Sequence, residues 1–128
     1  MRLLLDTHIF LWYIQDDSRL AAAWDQIIGD PRNQVFLSVV SIWEIIIKYQ
    51  IGKLPLPEVP EIYLPRLRMQ HQMTSLPVGE DSVSGVAQLP LLHNDPFDRL
   101  LIAQAMQHNL TLVTVDAAIR AYPMVSVL

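Results

Sequence analysis

Short apolar runs alternate along the chain with longer stretches in which apolar residues recur every three or four positions. That alternation predicts strands separated by helices. Residues 2–6 (Arg2-Leu3-Leu4-Leu5-Asp6) are too short an apolar run for a stable helix and read as a first, buried strand. Residues 8–14 are apolar nearly throughout and predict a short buried helix. After a break at Asp16-Asp17, Ser18 is the expected N-cap of a helix over 19–28, closed by Gly29-Asp30-Pro31-Arg32-Asn33. Val35-Phe36-Leu37-Ser38 is a second strand. The helix that follows, capped by Ser38 or Ser41, runs to about Ile51 and stops at Gly52. Its Val39, Ile42, Trp43, Ile46, Ile47 and Gln50 fall on one broad face, and Ser41, Glu44 and Lys48 form a narrow polar strip that should face a cleft.

A Pro-rich connector, 52–60, leads into a helix over 61–72 that Pro65 kinks or restarts. Residues 74–78 suggest a third strand, near an edge because of Pro77. A short helix over 80–88 and a loop over 89–94 come next. Asp95-Pro96-Phe97-Asp98 then opens a helix, with Asp95 as N-cap, Pro96 at the first helical position and Asp98 near the positive dipole end. Leu101, Ile102, Ala105 and Met106 give that helix a core face, and Asn109 ends it. Residues 110–115 are the clearest strand and again run into a carboxylate, Asp116. A short helix over 117–121 and a last strand near 125–128 finish the pattern. The order predicts a three-layer α/β/α sandwich around a mostly parallel sheet, with no repeat or linker to divide residues 1–128.

Composition narrows the function classes. A chain of 128 residues can bury a core without staples, and the absence of cysteine excludes disulfides and thiolate metal sites. Hydrophobic residues at 52% against 17% charged suggest a surface partly covered by another subunit or partner, although a tight α/β core accounts for much of the excess. No apolar run approaches the roughly 18 residues of a membrane span, and Met1-Arg2 is followed by only three leucines before Asp6, so a soluble cytoplasmic protein is expected. A net charge of -4 argues against phosphate contacts, unless clustered acids hold divalent cations that invert the local field.

The acids themselves make that exception concrete. An acid directly after an apolar strand does little for a core but can line a ligand crevice at the carboxyl edge of a parallel sheet. Strand-edge placement puts Asp6, Asp116 and, more loosely, Glu44 at one edge. By the same reasoning Asp98 falls on the opposite edge, because its helix feeds the fourth strand; only a climbing loop over 89–94 or a helix that crosses the sheet would bring it in. Gathered carboxylates repel one another unless a cation neutralises them, and all-oxygen ligation selects Mg²⁺ or Mn²⁺, the ions of phosphodiester chemistry. Structural roles compete at each position. Asp95 and Asp116 could be helix caps, Asp98 a dipole acid and Glu44 the partner of Lys48. His8, His71, His93 and His108 show no paired metal spacing and read as structural or surface. Lys53, Arg66, Arg68 and Arg99 read as a solvated face more than an RNA contact, and Trp12, Trp24 and Trp43 as core.

Taken together, Leu3-Leu4-Leu5-Asp6-Thr7-His8, Ser41-Ile42-Trp43-Glu44-Ile45, Gly52-Lys53-Leu54, the segment from His93-Asn94-Asp95-Pro96-Phe97-Asp98-Arg99 to Ala105, and Leu112-Val113-Thr114-Val115-Asp116 resemble a PIN domain, and within it the VapC-like toxins of bacterial toxin–antitoxin pairs. The resemblance spans the whole chain. It implies a metal-dependent endoribonuclease whose acidic quartet maps onto Asp6, Glu44, Asp98 and Asp116 and binds Mg²⁺ or Mn²⁺. Thr7 matches a position where a hydroxyl supports the first acid and is the expected substrate contact. Val115 departs from the polar or basic residue many relatives carry there. A homodimer and a small cognate antitoxin are also implied, with RNA as substrate. The alternative is a non-catalytic PIN module that only binds protein or RNA. A phosphatase of the Asp-x-Asp type would need an acid where His8 stands.

Overall fold

The computed structural model describes all 128 residues. Four strands form one sheet: β1 (Arg2–Leu5), β2 (Gln34–Ser38), β3 (Thr74–Leu76) and β4 (Thr111–Val113). Their order is β3-β2-β1-β4 and every pairing is parallel, with Leu4 opposite Phe36 on one side and Leu112 on the other. The leucine run of β1 therefore lies in the interior of the sheet, where both faces must be apolar. Leu3 and Leu5 point into one buried cluster with Phe10, Leu37 and Leu64, and Leu4 into a second with Leu101, Ile102 and Tyr122. The sheet thus separates two helical layers, as the sandwich reading expects.

The first layer holds α1 (Thr7–Ile14), α2 (Ala22–Gly29) and α4 (Pro60–Gln70). The second holds α5 (Glu80–Val86), α6 (Pro96–Gln107) and α7 (Ala117–Arg120). Helix α3 (Val39–Gln50) leaves the end of β2 under a Ser38 cap and touches both layers, α1 and α4 on one side and α6 on the other. Val40 joins the second cluster and Ile45 the first. Gly52, at a φ of 74°, takes the left-handed turn that ends it. Pro65 lies inside α4 without ending it.

Four details differ from the sequence expectations. Helix α2 starts at Ala22 behind Ala21, with no side-chain cap; Ser18 does not cap it. The Asp17 carboxylate accepts the Arg19 N–H and the Asp17 carbonyl accepts that of Leu20, so this segment closes into a turn instead. The last strand shrinks to a single bridge between Leu112 and Val127, flanked by two backbone hydrogen bonds. On α3 the buried residues are Val40, Ser41, Glu44 and Ile45, and Trp43 is 57% exposed with its ring edge against Phe97, so this tryptophan is not core. Ser41 and Glu44 of the α3 polar strip are buried because they meet other polar groups, with Lys48 partly exposed, while part of the face expected to be buried meets solvent. No helix is long and apolar enough to cross a membrane.

Candidate metal centre

All four predicted acids sit at the carboxyl edge of the sheet or on helices that begin there. Asp6 follows β1 and caps α1, its Oδ1 accepting the Thr7 N–H at 2.7 Å. Its Oδ2 accepts the Thr114 hydroxyl at 2.7 Å, and Thr114 Oγ1 in turn accepts the Asp116 N–H at 3.0 Å. One threonine, fully buried, thus locks the acid after β1 to the chain after β4. Asp116 caps α7 by accepting the Ala118 N–H at 2.8 Å. Glu44, a buried residue of α3, accepts the Thr7 hydroxyl at 2.9 Å through Oε1 and the Lys48 ammonium at 2.8 Å through Oε2.

Asp98 joins this group, and its position corrects the edge argument. A helix that delivers the chain to the start of a parallel strand runs antiparallel to it and so begins beside the strand's carboxyl end. Helix α6 hands over to β4 directly, the Leu110 N–H bonding the Ala105 carbonyl, and its first turn lies at the site edge. Asp95 is its N-cap, accepting the N–H groups of Phe97 and Asp98. No climb of the preceding loop is needed to bring Asp98 in.

Asp98 is the most perturbed of the four. Burial pushes its carboxyl up to about 7; a hydrogen bond with His93 opposes the rise, and the charges of Asp6, Asp95 and Glu44 add to it. Asp6 is raised too, chiefly by burial, against the hydrogen bonds from Thr114 and the Thr7 N–H. A carboxylate that resists ionisation beside other carboxylates is a group a cation would relieve.

The tightest grouping is not the quartet. Ligand atoms of His93, Asp98 and Asp116 all lie within 4.8 Å of one another, and His93 Nε2 is 2.8 Å from Asp98 Oδ2. Asp6 and Glu44 stand outside that shell, near enough for their charges to act on Asp98. His93 is therefore part of the site and not a bystander of the surface. Its spacing of five residues before Asp98 was the only signal available, and it matches no paired-ligand pattern.

Three other residues take roles the sequence did not assign. Thr7 is 1% exposed, with its hydroxyl 2.9 Å from both Ser41 Oγ and Glu44 Oε1. It has no free face for a substrate, so the expected contact is corrected to positioning of Glu44 and Asp6. The hydroxyl that supports the first acid belongs to Thr114. Arg99, read from sequence as a solvated cation, is buried and donates to the carbonyls of Val86 and Pro90 and to the Tyr122 hydroxyl, at 2.9–3.1 Å. It ties the loop that carries His93 to the helix that carries Asp98.

An all-parallel sheet with acids gathered beyond its carboxyl edge is an α/β protein with a crevice at the ligand-binding end. The chain belongs to the PIN domain family, whose model matches residues 3–124. Among curated proteins it is similar to Ribonuclease VapC22 of Mycobacterium tuberculosis, at 26% identity over 119 residues, covering 93% of this chain and 90% of that one. A local match to Ribonuclease VapC16 of the same organism reaches 51% identity over 39 residues, 30% of this chain and only 28% of that protein's length. Among solved structures, that of VapBC2 from Rickettsia felis bound to a promoter DNA fragment aligns with a TM-score of 0.74 at 17% identity, over 100% of this chain and 98% of the other. That structure shares the fold.

Proposed function

We propose that this chain is a divalent-metal-dependent endoribonuclease, the toxin of a toxin–antitoxin pair. The observation that carries the reading is the convergence of the Asp98 and Asp116 carboxylates with His93 at the sheet edge, under the charges of Asp6 and Glu44. The donor set suits a hard cation such as Mg²⁺ or Mn²⁺, with oxygen ligands predominating. When bound, such an ion supplies Lewis acidity to the attacking water and to the departing oxygen of an in-line phosphodiester displacement. Asp98 and Asp116 would hold it, with Asp6 and Glu44 as further direct or water-bridged ligands. Thr114 and Thr7 fix the Asp6 and Glu44 carboxylates, so that neither reorganises during the reaction. Lys48 balances one carboxylate charge and stays partly exposed beside the cleft, where a backbone phosphate would arrive.

The partners follow from the same reading. RNA is the substrate, a small antitoxin covers the chain in its inactive state, and a second copy of the chain completes a homodimer in the cytoplasm. Large apolar side chains on the surface, among them Trp43, Met69 and Leu91, support covered faces. The names VapC22 and VapC16, both ribonucleases, support the activity.

Asp6→Asn tests the reading. The amide keeps an oxygen for the Thr7 N–H and places its NH₂ toward the Thr114 hydroxyl, so the fold and melting temperature should hold. RNA cleavage should fall by about 100-fold or more, the scale lost with a preorganised charge. Cleavage by purified Asp6→Asn at the wild-type rate would sink the assignment. A melting temperature indifferent to both Mg²⁺ and Mn²⁺ would favour a PIN module that binds without cutting.

A further inference from the structure

We propose that His93 is a direct nitrogen ligand of the divalent cation, beside Asp98 and Asp116, and that this imidazole makes the centre prefer Mn²⁺ to Mg²⁺. The inference rests on the metal site of the preceding section and adds a ligand of a different element.

Distance is the first argument. His93 Nε2 and Asp98 Oδ2 are 2.8 Å apart. Adjacent ligands of an octahedral ion with bonds of about 2.1 Å are separated by roughly 3 Å. The third ligand atom, from Asp116, is within 4.8 Å of both, and opposite corners of such a shell are roughly 4.2 Å apart, so Asp116 would have to close by no more than about 0.6 Å. The bond that joins imidazole to carboxylate contains one proton on the line between them. A cation takes the place of that proton without either side chain travelling far.

Rigidity is the second argument. A loop histidine makes a dependable ligand only if the loop is held, and this loop is held by a buried cation. Arg99 sits one residue after Asp98 and donates to the Val86 and Pro90 carbonyls, with the Tyr122 hydroxyl as a third partner. Burying a guanidinium is costly, and here its hydrogen bonds go to the backbone flanking residues 87–89 and to a core phenol. The loop and the first turn of α6 are fastened into one unit, and His93 and Asp98 are its two metal-facing side chains. An outer hydrogen bond to a carboxylate does not call for such a mount.

Ligand chemistry gives the consequence. Imidazole binds Mn²⁺ appreciably, whereas Mg²⁺ prefers oxygen and keeps its waters. The test is pulsed electron paramagnetic resonance on the Mn²⁺-loaded chain, with calorimetric titration of Mn²⁺ and Mg²⁺ alongside. Wild type should show ¹⁴N modulation from a directly bound imidazole, and His93→Gln should lose it. The substitution should also weaken Mn²⁺ binding by about 10-fold or more and Mg²⁺ binding by much less. Bound Mn²⁺ without ¹⁴N modulation, or modulation that survives in His93→Gln, would overturn the proposal and leave the carboxylate site standing. Failure of the wild-type chain to bind Mn²⁺ at all would remove the ligand and the metal site together. The wild-type spectrum decides the matter even if the variant folds poorly.

Discussion

Asp98 shows how one side chain can be both a functional asset and a structural cost. Its carboxyl titrates at about 7 in the folded chain against an ordinary 3.8. Between these values the folded state holds a proton that the unfolded state has lost. Stability of the metal-free chain should therefore fall as pH rises from about 4 to about 7 and level off above. Asp6, shifted in the same direction, adds to the slope. Asp17 and Asp30 titrate at about 2 under Arg19 and Arg32, and so lie outside the window. Melting temperatures across pH 5 to 8 should show the decline, Asp98→Asn should flatten it, and saturating Mn²⁺ should reverse it at the upper end. A flat profile for the wild-type chain would mean that Asp98 is not so strongly perturbed. In the sequence, strand-end placement singled out Asp6 and Asp116 and, more loosely, Glu44, whereas Asp98 entered only through the family resemblance. Neither route identified Thr114 or His93, because the pairing of a threonine with an acid 108 positions away has no local signature.

The helices that carry the site differ in how readable they were. Helix α6 declared its start through Asp95 and Pro96, and its core face through Leu101, Ile102 and Ala105. What went astray was its direction relative to the sheet, a matter of how parallel strands are connected and not of any residue. Helix α3 was harder, because its polar strip is the buried side and two of its large apolar residues, Trp43 and Val39, are exposed. Hydrophobicity cannot rank those faces when Ser41 and Glu44 find partners inside. The loop between α5 and α6 was silent in sequence, since its anchor, Arg99, looks like any surface cation. Arg99→Met should strand the Val86 and Pro90 carbonyls and cost about 2–4 kcal/mol, read as a drop in denaturation midpoint. Hydrogen exchange should quicken across 86–94. Arg99→Lys should recover little, since an ammonium cannot span the same carbonyls. Unchanged exchange in Arg99→Met would show that the loop is held by something else.

At the scale of the whole molecule, the alternation of strands and helices was enough for the sandwich, and the strand order was not. The central position of β1, between β2 and β4, follows from its three consecutive leucines only once both faces are known to be covered. The homodimer proposed for this chain can be checked by mass. Sedimentation should give a mass near twice the 14.6 kDa of the chain, and a monomer at micromolar concentration would leave the exposed Trp43 and Leu91 to other partners. The topology has a further consequence in time. Strand β1 leaves the ribosome first, yet one of its two neighbours is made of residues 111–113, and the hydroxyl that pins Asp6 comes at position 114. Until then the acids cannot be set in place. A nascent chain of this protein carries every acid before Asp116 but no organised centre until residues 111–116 have joined the sheet edge.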